Sequence, residues 1–133
     1  AGGYELRCIN FKASSSPKTI TCIEKGGKGV AVFEGFFDFL SWVVLHEYAE
    51  QEPMDFCVLN SLCFFQLARP FLEQHGTIHL YLDNDPAGQN CSHHALQIGP
   101  QYFDESALYK GYKDLNEWHI SMGKGLKKKR DFY

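Results

Sequence analysis

Two periodicities divide this chain. The runs "GVAVFEG" (29–35), "MDFCVLN" (54–60) and "TIHLYLD" (77–83) are almost continuously apolar, the pattern of short strands covered on both faces. After the first run, Phe36, Phe37, Leu40, Val43, Val44 and Tyr48 recur at helical spacing, predicting a helix from Phe36 to about Gln51 that Pro53 stops. Ser61 is placed to cap a second helix through Gln74, kinked or broken at Pro70. A third helix opens near Pro86 and runs to about Ile98. "ESALY" (105–109) predicts a further strand, and "DLNEWHISM" (114–122) a closing helix capped by Asp114. Ahead of these, "YELRCINF" (4–11) and "KTITCIEK" (18–25), joined by "SSSP" (14–17), read as a leading β-hairpin.

Strands alternating with helices imply βαβ units: an α/β fold with a mainly parallel central sheet flanked by helices and preceded by the short hairpin. The length of 133 residues, 44% hydrophobic, supports one core. The expected organisation is a hairpin over 1–28, a main domain over 29–122 and a basic, flexible tail over 123–133. In a parallel sheet, ligands gather at the carboxyl ends of the strands. Glu34, Asn60 and Asp83 all fall at such ends, with Ser61 beside Asn60.

Charge changes the picture more than composition does. The 13 Lys+Arg include four in "KKKR" (127–130), and the 16 Asp+Glu include Asp131, so residues 1–125 carry nine basic against fifteen acidic groups, a balance of −6. A domain gripping nucleic acid unaided would show a basic surface, so contact with a polyanion must use bound cations, the tail or a neighbouring domain. No apolar run reaches the roughly 20 residues of a membrane span and no signal peptide is visible, so a cytoplasmic protein without a membrane partner is expected. The five cysteines, odd in number and without a C-x-x-C, favour packed thiols over a disulfide scaffold or zinc ribbon. The histidines His75, His79, His93 and His94 read as packing or surface residues. The aromatic run Phe33, Phe36, Phe37 and Phe39 reads as core rather than as a base-stacking platform.

The chemistry concentrates in "YLDNDPAG" (81–88). Residues two apart in extended chain face the same way, so Asp83 and Asp85 can converge on one hard cation such as Mg²⁺. Gly88 lets backbone come close. Asp85 could equally be a turn or cap residue, Asp114 a helix cap, and Glu34 or Asp38 a charge at a helix start.

The motifs "VFEGFFDFLS" and, about fifty residues on, "LYLDNDPAG", with "YKDLNEW" near the end, resemble the Toprim domain, a compact Rossmann-like module. The spacing is similar to the bacterial DnaG-type primase branch, above all to primase-like proteins of mobile elements. This resemblance implies Mg²⁺-dependent nucleotidyl transfer on DNA, with Mn²⁺ as a substitute ion, by a nucleotidyltransferase of the DNA primase type. It implies Glu34 as catalytic acid/base and metal ligand, Asp83 and Asp85 as metal ligands, and Asp38 and Asp114 as further acidic groups. Gly35 is expected at a tight strand-to-helix turn, with Gly88, Asn60, Ser61 and Asn116 supporting the site. Asn116 stands where relatives carry a second acid, and Gln89 where they are often basic. The implied partners are a DNA template, nucleoside triphosphates, and helicase or other replication proteins. As a fragment of a longer chain, the isolated piece is expected to be weakly active or inactive. A Toprim nuclease and a non-catalytic module of a DNA-processing complex are the alternatives.

Overall fold

The computed structural model describes residues 19–49 and 52–130, the last six as backbone alone. Its elements are β1 (Thr21–Ile23), β2 (Gly29–Phe33), α1 (Phe36–Leu45), β3 (Met54–Val58), α2 (Phe65–Leu72), β4 (Thr77–Tyr81), α3 (Pro86–Ile98), β5 (Tyr102–Asp104) and α4 (Leu115–Arg130). A 3-10 turn precedes α2 at Leu62–Phe64, and another spans Ser106–Tyr109. The five strands form one sheet in the order β1-β3-β2-β4-β5. All neighbours are parallel except β1, which runs antiparallel to β3. The α/β architecture expected from the sequence is the one observed. Of the leading strand pair, β1 is present and joins the sheet edge; its expected partner over 4–11 lies outside the described residues.

Strand alternation builds two cores. Val30, Val32, Leu59, Ile78 and Leu80 pack with Phe65, Ala68 and Leu72 of α2 and Cys91 and Ala95 of α3. Ala31, Phe33, Phe56 and Tyr81 face the other way, onto Trp42 of α1, Tyr109 and Leu115 of α4. Because both faces are covered, all of β2 is buried, which is why its sequence shows no polar alternation. Each fully buried Leu, Ile or Phe contributes roughly 1.5–3 kcal/mol.

Several boundaries differ from the sequence reading, each for a local reason. Helix α1 stops at Leu45, short of Gln51: the His46 ring turns back to put Nδ1 2.8 Å from the Trp42 carbonyl and stacks on that indole at 3.9 Å. Ser61 does cap, accepting from the Cys63 N–H at 3.2 Å, but it opens the 3-10 turn, and α2 ends at Leu72 with Pro70 inside it. The last strand is Tyr102–Asp104 rather than 105–109, because the Asp104 carboxylate accepts from the Ser106 N–H at 3.0 Å and turns the chain into the 3-10 segment. Helix α4 continues through 123–130, where a flexible tail was expected. Cys22, Cys57 and Cys91 are free thiols, but Cys63 is disulfide-bonded, against the expectation of thiols throughout. Among the described residues no helix is long and apolar enough to cross a membrane.

Candidate functional site

The connection leaving β2 goes through α1 to β3 on one side, and that leaving β4 goes through α3 to β5 on the other. Strands β2 and β4 are neighbours, with Phe33 opposite Tyr81, so their carboxyl ends form the switch point where such sheets bind ligands. Glu34 follows β2 directly, and Asp83 lies two residues past β4. The Asp83 N–H reaches the Glu34 carboxylate at 3.3 Å, tying the two ends together.

Two acidic groups result. Oxygens of Glu34, Asp83 and Asp85 lie within 4.8 Å of one another, as do those of Asp38, Asp83 and Asp114. Asp83 belongs to both. Asp85 caps α3, accepting from the Gly88 N–H at 2.8 Å, and Asp114 caps α4, accepting from the Glu117 N–H at 2.8 Å. Cap and cluster roles therefore coexist, since a carboxylate has two oxygens. Asp38 is buried, and one oxygen accepts from the Asn116 N–H at 3.0 Å. The Asn116 side chain accepts in turn from the Ser41 hydroxyl at 3.1 Å, so Asn116 holds α4 to α1 beside Asp38.

Without cations this cluster is electrostatically unfavourable. Burial, with the charges of Glu34, Asp114 and Asp85 adding to it, pushes the Asp83 carboxyl up to about 7. Burial also raises Asp38 to about 7, with Asp114 and Asp83 contributing and the Asn116 N–H opposing. Glu34 is raised by burial, against the hydrogen bond from Asp83 and with the charge of Asp85. The Oδ1 of Asp83 is buried and accepts no hydrogen bond. A buried carboxylate oxygen without a donor, surrounded by other carboxylates, fits a hard divalent cation.

Glycine has a defined part at one position. A Cβ on Gly88 would collide with the Asp83 carbonyl oxygen, so α3 can start against the Asp83 loop only without a side chain there. Gly35 stands at the strand-to-helix turn, capping α1 two residues after β2, but its φ of −125° is open to any residue, and a Cβ there would meet Asp38 at an ordinary 3.5 Å.

A cavity of about 640 Å³ lies over the acids, with Asn60, Ser61, Leu62 and Cys63 along its far wall. Asn60 has a φ of 65°, and its amide donates to the Thr19 carbonyl at 2.8 Å, anchoring that wall to the edge near β1. The aromatic run divides. Phe33 and Phe39 pack at 5.8 Å in the core, whereas Phe36 and Phe37 are 51% and 69% exposed at the cavity's rim, which overturns their reading as core. The sequence hides this because Phe36 and Phe37 fit the same helical spacing as the residues that α1 buries.

Sequence reasoning missed a second cavity, of about 530 Å³, lined by Asn84, Gln89, Lys110 and Lys113 among others. It also missed Asn84, whose side chain donates to the carbonyls of Tyr109 at 3.2 Å and Tyr112 at 3.0 Å, and whose N–H donates to Lys113 at 2.6 Å. The available signal was an asparagine between two aspartates, a residue suited to binding backbone. The histidines stand apart: His75 pairs with Asp55 at 2.7 Å, His79 stacks on Phe103 at 5.4 Å, and His93 is exposed.

Parallel strands with an acidic switch point, a D-x-D loop and a helix whose first turn carries a glycine against that loop define a Toprim-type domain. Residues 31–119 match a family model described as Toprim-like, and the chain belongs to that family. Two solved structures share the fold. The primase fragment of the bacteriophage T7 primase-helicase protein aligns with a TM-score of 0.58 at 23% identity, over 74% of this chain and 41% of that one. A T7 primase-domain chain, from a complex of lagging-strand DNA polymerase with gp4 primase domains bound to an RNA/DNA hybrid and dTTP, aligns with a TM-score of 0.57 at 24% identity. That match covers 75% of this chain and 51% of the other. The chain thus spans about half or less of these structures' length. No curated protein sequence matches it.

Proposed function

We propose that this chain is the Toprim catalytic module of a primase-like protein, performing Mg²⁺-dependent nucleotidyl transfer on a DNA template. The observation that carries this reading is the convergence of Glu34, Asp83 and Asp85 at the switch point, with one Asp83 oxygen buried and unsatisfied. Glu34, Asp83 and Asp85 would hold one cation, and Asp38, Asp83 and Asp114 a second. Bound there, a divalent cation offsets the negative charge that develops on the phosphoryl oxygens during transfer.

The protein's own groups do the rest. Glu34 sits where burial raises its proton affinity, which suits it to take a proton from an attacking hydroxyl and return it to a leaving one. Asn116 and the Asp83–Glu34 hydrogen bond hold the carboxylates in place before substrate arrives. The acidic body supplies little attraction for DNA, so template binding falls to parts of a longer chain. The T7 complex contains primase domains with an RNA/DNA hybrid, a nucleotide and a polymerase, and the partners inferred here are of the same kind: template, nucleoside triphosphates and replication proteins.

The test is template-dependent ribonucleotide incorporation by the full-length protein with Glu34→Gln. Incorporation is expected to fall at least about 100-fold, the usual scale for removing a general base. Unchanged incorporation sinks the role of Glu34. Metal-dependent nicking of DNA without incorporation identifies a nuclease, and absence of both activities together with absence of Mg²⁺ binding identifies a non-catalytic module.

A further inference from the structure

The two cavities lie on opposite sides of one ridge. Asp83 and Asp114 face the larger, while their chain neighbours Asn84 and Lys113 face the smaller. The larger has a wall of Phe36, Phe37 and Leu62 and no basic side chain. The smaller contributes Lys110 and Lys113, and among the described residues neither forms an ion pair. Nor is their loop free to drift, since three hydrogen bonds from Asn84 lash it to the segment between Asp83 and Asp85.

A nucleoside triphosphate has one strongly anionic end and one flat, weakly polar end. The five carboxylates repel the anionic end wherever no cation stands between, and the larger cavity offers it no positive group. Of these two cavities as the described residues line them, the lysine cavity is the one that can compensate phosphates beyond the one at the acids, because ammonium groups bind phosphate oxygens by charge-assisted hydrogen bonds. An exposed phenylalanine beside a metal centre offers the other end a stacking surface, a contact that any base can make.

We propose, resting on the function inferred above, that the nucleotide lies across this ridge with its outer phosphates on Lys110 and Lys113 and its base on Phe37. Asn84 is the positioning residue that fixes the lysine loop relative to the acids. Phe37 also heads an exposed apolar stripe on α1 with Leu40 and Val44, which a protein surface could cover, so the test must separate a base from a protein partner.

The experiment is amide-resolved NMR titration of this chain with Mg²⁺, then with inorganic tripolyphosphate or ATP. Beyond the amides that respond to Mg²⁺, tripolyphosphate is expected to shift those of 110–113, and ATP to shift these together with 36–37. Lys110→Ala with Lys113→Ala should weaken both ligands about tenfold, the scale of charge-assisted hydrogen bonds. Phe37→Ala should weaken ATP by about tenfold, the scale of one stacked base, and leave tripolyphosphate unchanged. Tripolyphosphate shifting no amide in the 110–113 loop, or binding unchanged by the lysine substitutions, overturns the phosphate assignment. ATP binding unaffected by Phe37→Ala overturns the base assignment and leaves the stripe to a protein partner. The Mg²⁺ step keeps the two readings apart. No response at 34, 83 and 85 defeats the metal site, whereas a normal response followed by none at 110–113 defeats this inference alone.

Discussion

Asp55, near the amino end of β3, and Asp83, past the carboxyl end of β4, are both carboxylates taken out of water, and the protein treats them in opposite ways. Asp55 is 6% exposed and fully engaged. One oxygen accepts from the N–H groups of Lys25 at 2.6 Å and Gly27 at 2.9 Å, and the other meets His75 Nε2 at 2.7 Å. Burial alone would raise its pKa, but these partners outweigh burial and hold it below the ordinary range. Asp83 has no such company: its neighbours are other acids, one of its oxygens accepts nothing, and its pKa rises to about 7. A carboxylate with both oxygens engaged braces the fold. One left crowded and unsatisfied costs the ion-free protein stability, a cost that a bound cation would relieve.

Substitution should therefore move stability in opposite directions at the two ends. Asp55→Ala leaves His75 buried without its partner and frees two backbone N–H groups, an expected loss of about 3–5 kcal/mol in denaturant unfolding. A loss below about 1 kcal/mol would show that the pair does not brace the sheet. Asp83→Asn removes a repelled charge at similar volume. In the absence of Mg²⁺ it should stabilise by on the order of 1 kcal/mol at pH 8, well under what the full shift would give because water at the rim screens it. The same variant should lose Mg²⁺ binding, read by calorimetric titration; undiminished affinity would remove Asp83 from the metal centre.

The most diagnostic effect is that of pH. Asp38 and Asp83 have raised pKa values, so the folded state binds more protons than the unfolded one between about pH 4 and 7. Their contribution to the stability of the ion-free protein is fully present below the unfolded pKa and disappears as pH rises through about 7. Asp55 works with the other sign, stabilising above its unfolded pKa and losing that contribution as pH falls through its lower folded value. Melting temperatures without Mg²⁺ should decline from pH 5 to 8, and saturating Mg²⁺ should flatten or reverse that slope. An identical slope with and without Mg²⁺ would mean that no cation binds these groups.

The sheet was legible because β2, β3 and β4 are buried on both faces and leave unbroken apolar runs. The acids at their ends were legible because the switch point of such a sheet is set by topology and the D-x-D spacing is local. What stayed hidden depends on tertiary placement. Nothing in "ESALY" says that Asp104 turns the chain before it, and His46 closes α1 through a ring contact with Trp42 that periodicity does not encode. Phe36 and Phe37 share the spacing of core residues, yet α1 lies so that its first turn overhangs the cavity. The Asp55–His75 pair joins residues twenty positions apart, and no motif announces it.

Asp83 is common property of two triads, and that has a consequence for how the centre fills. Were two ions to bind, the first would spend part of the shared residue's charge, and the second would have to depend more on Asp38 and Asp114, or on oxygens brought by a visitor. Loading would then be sequential, and full occupancy would belong to the assembled complex rather than to the protein by itself.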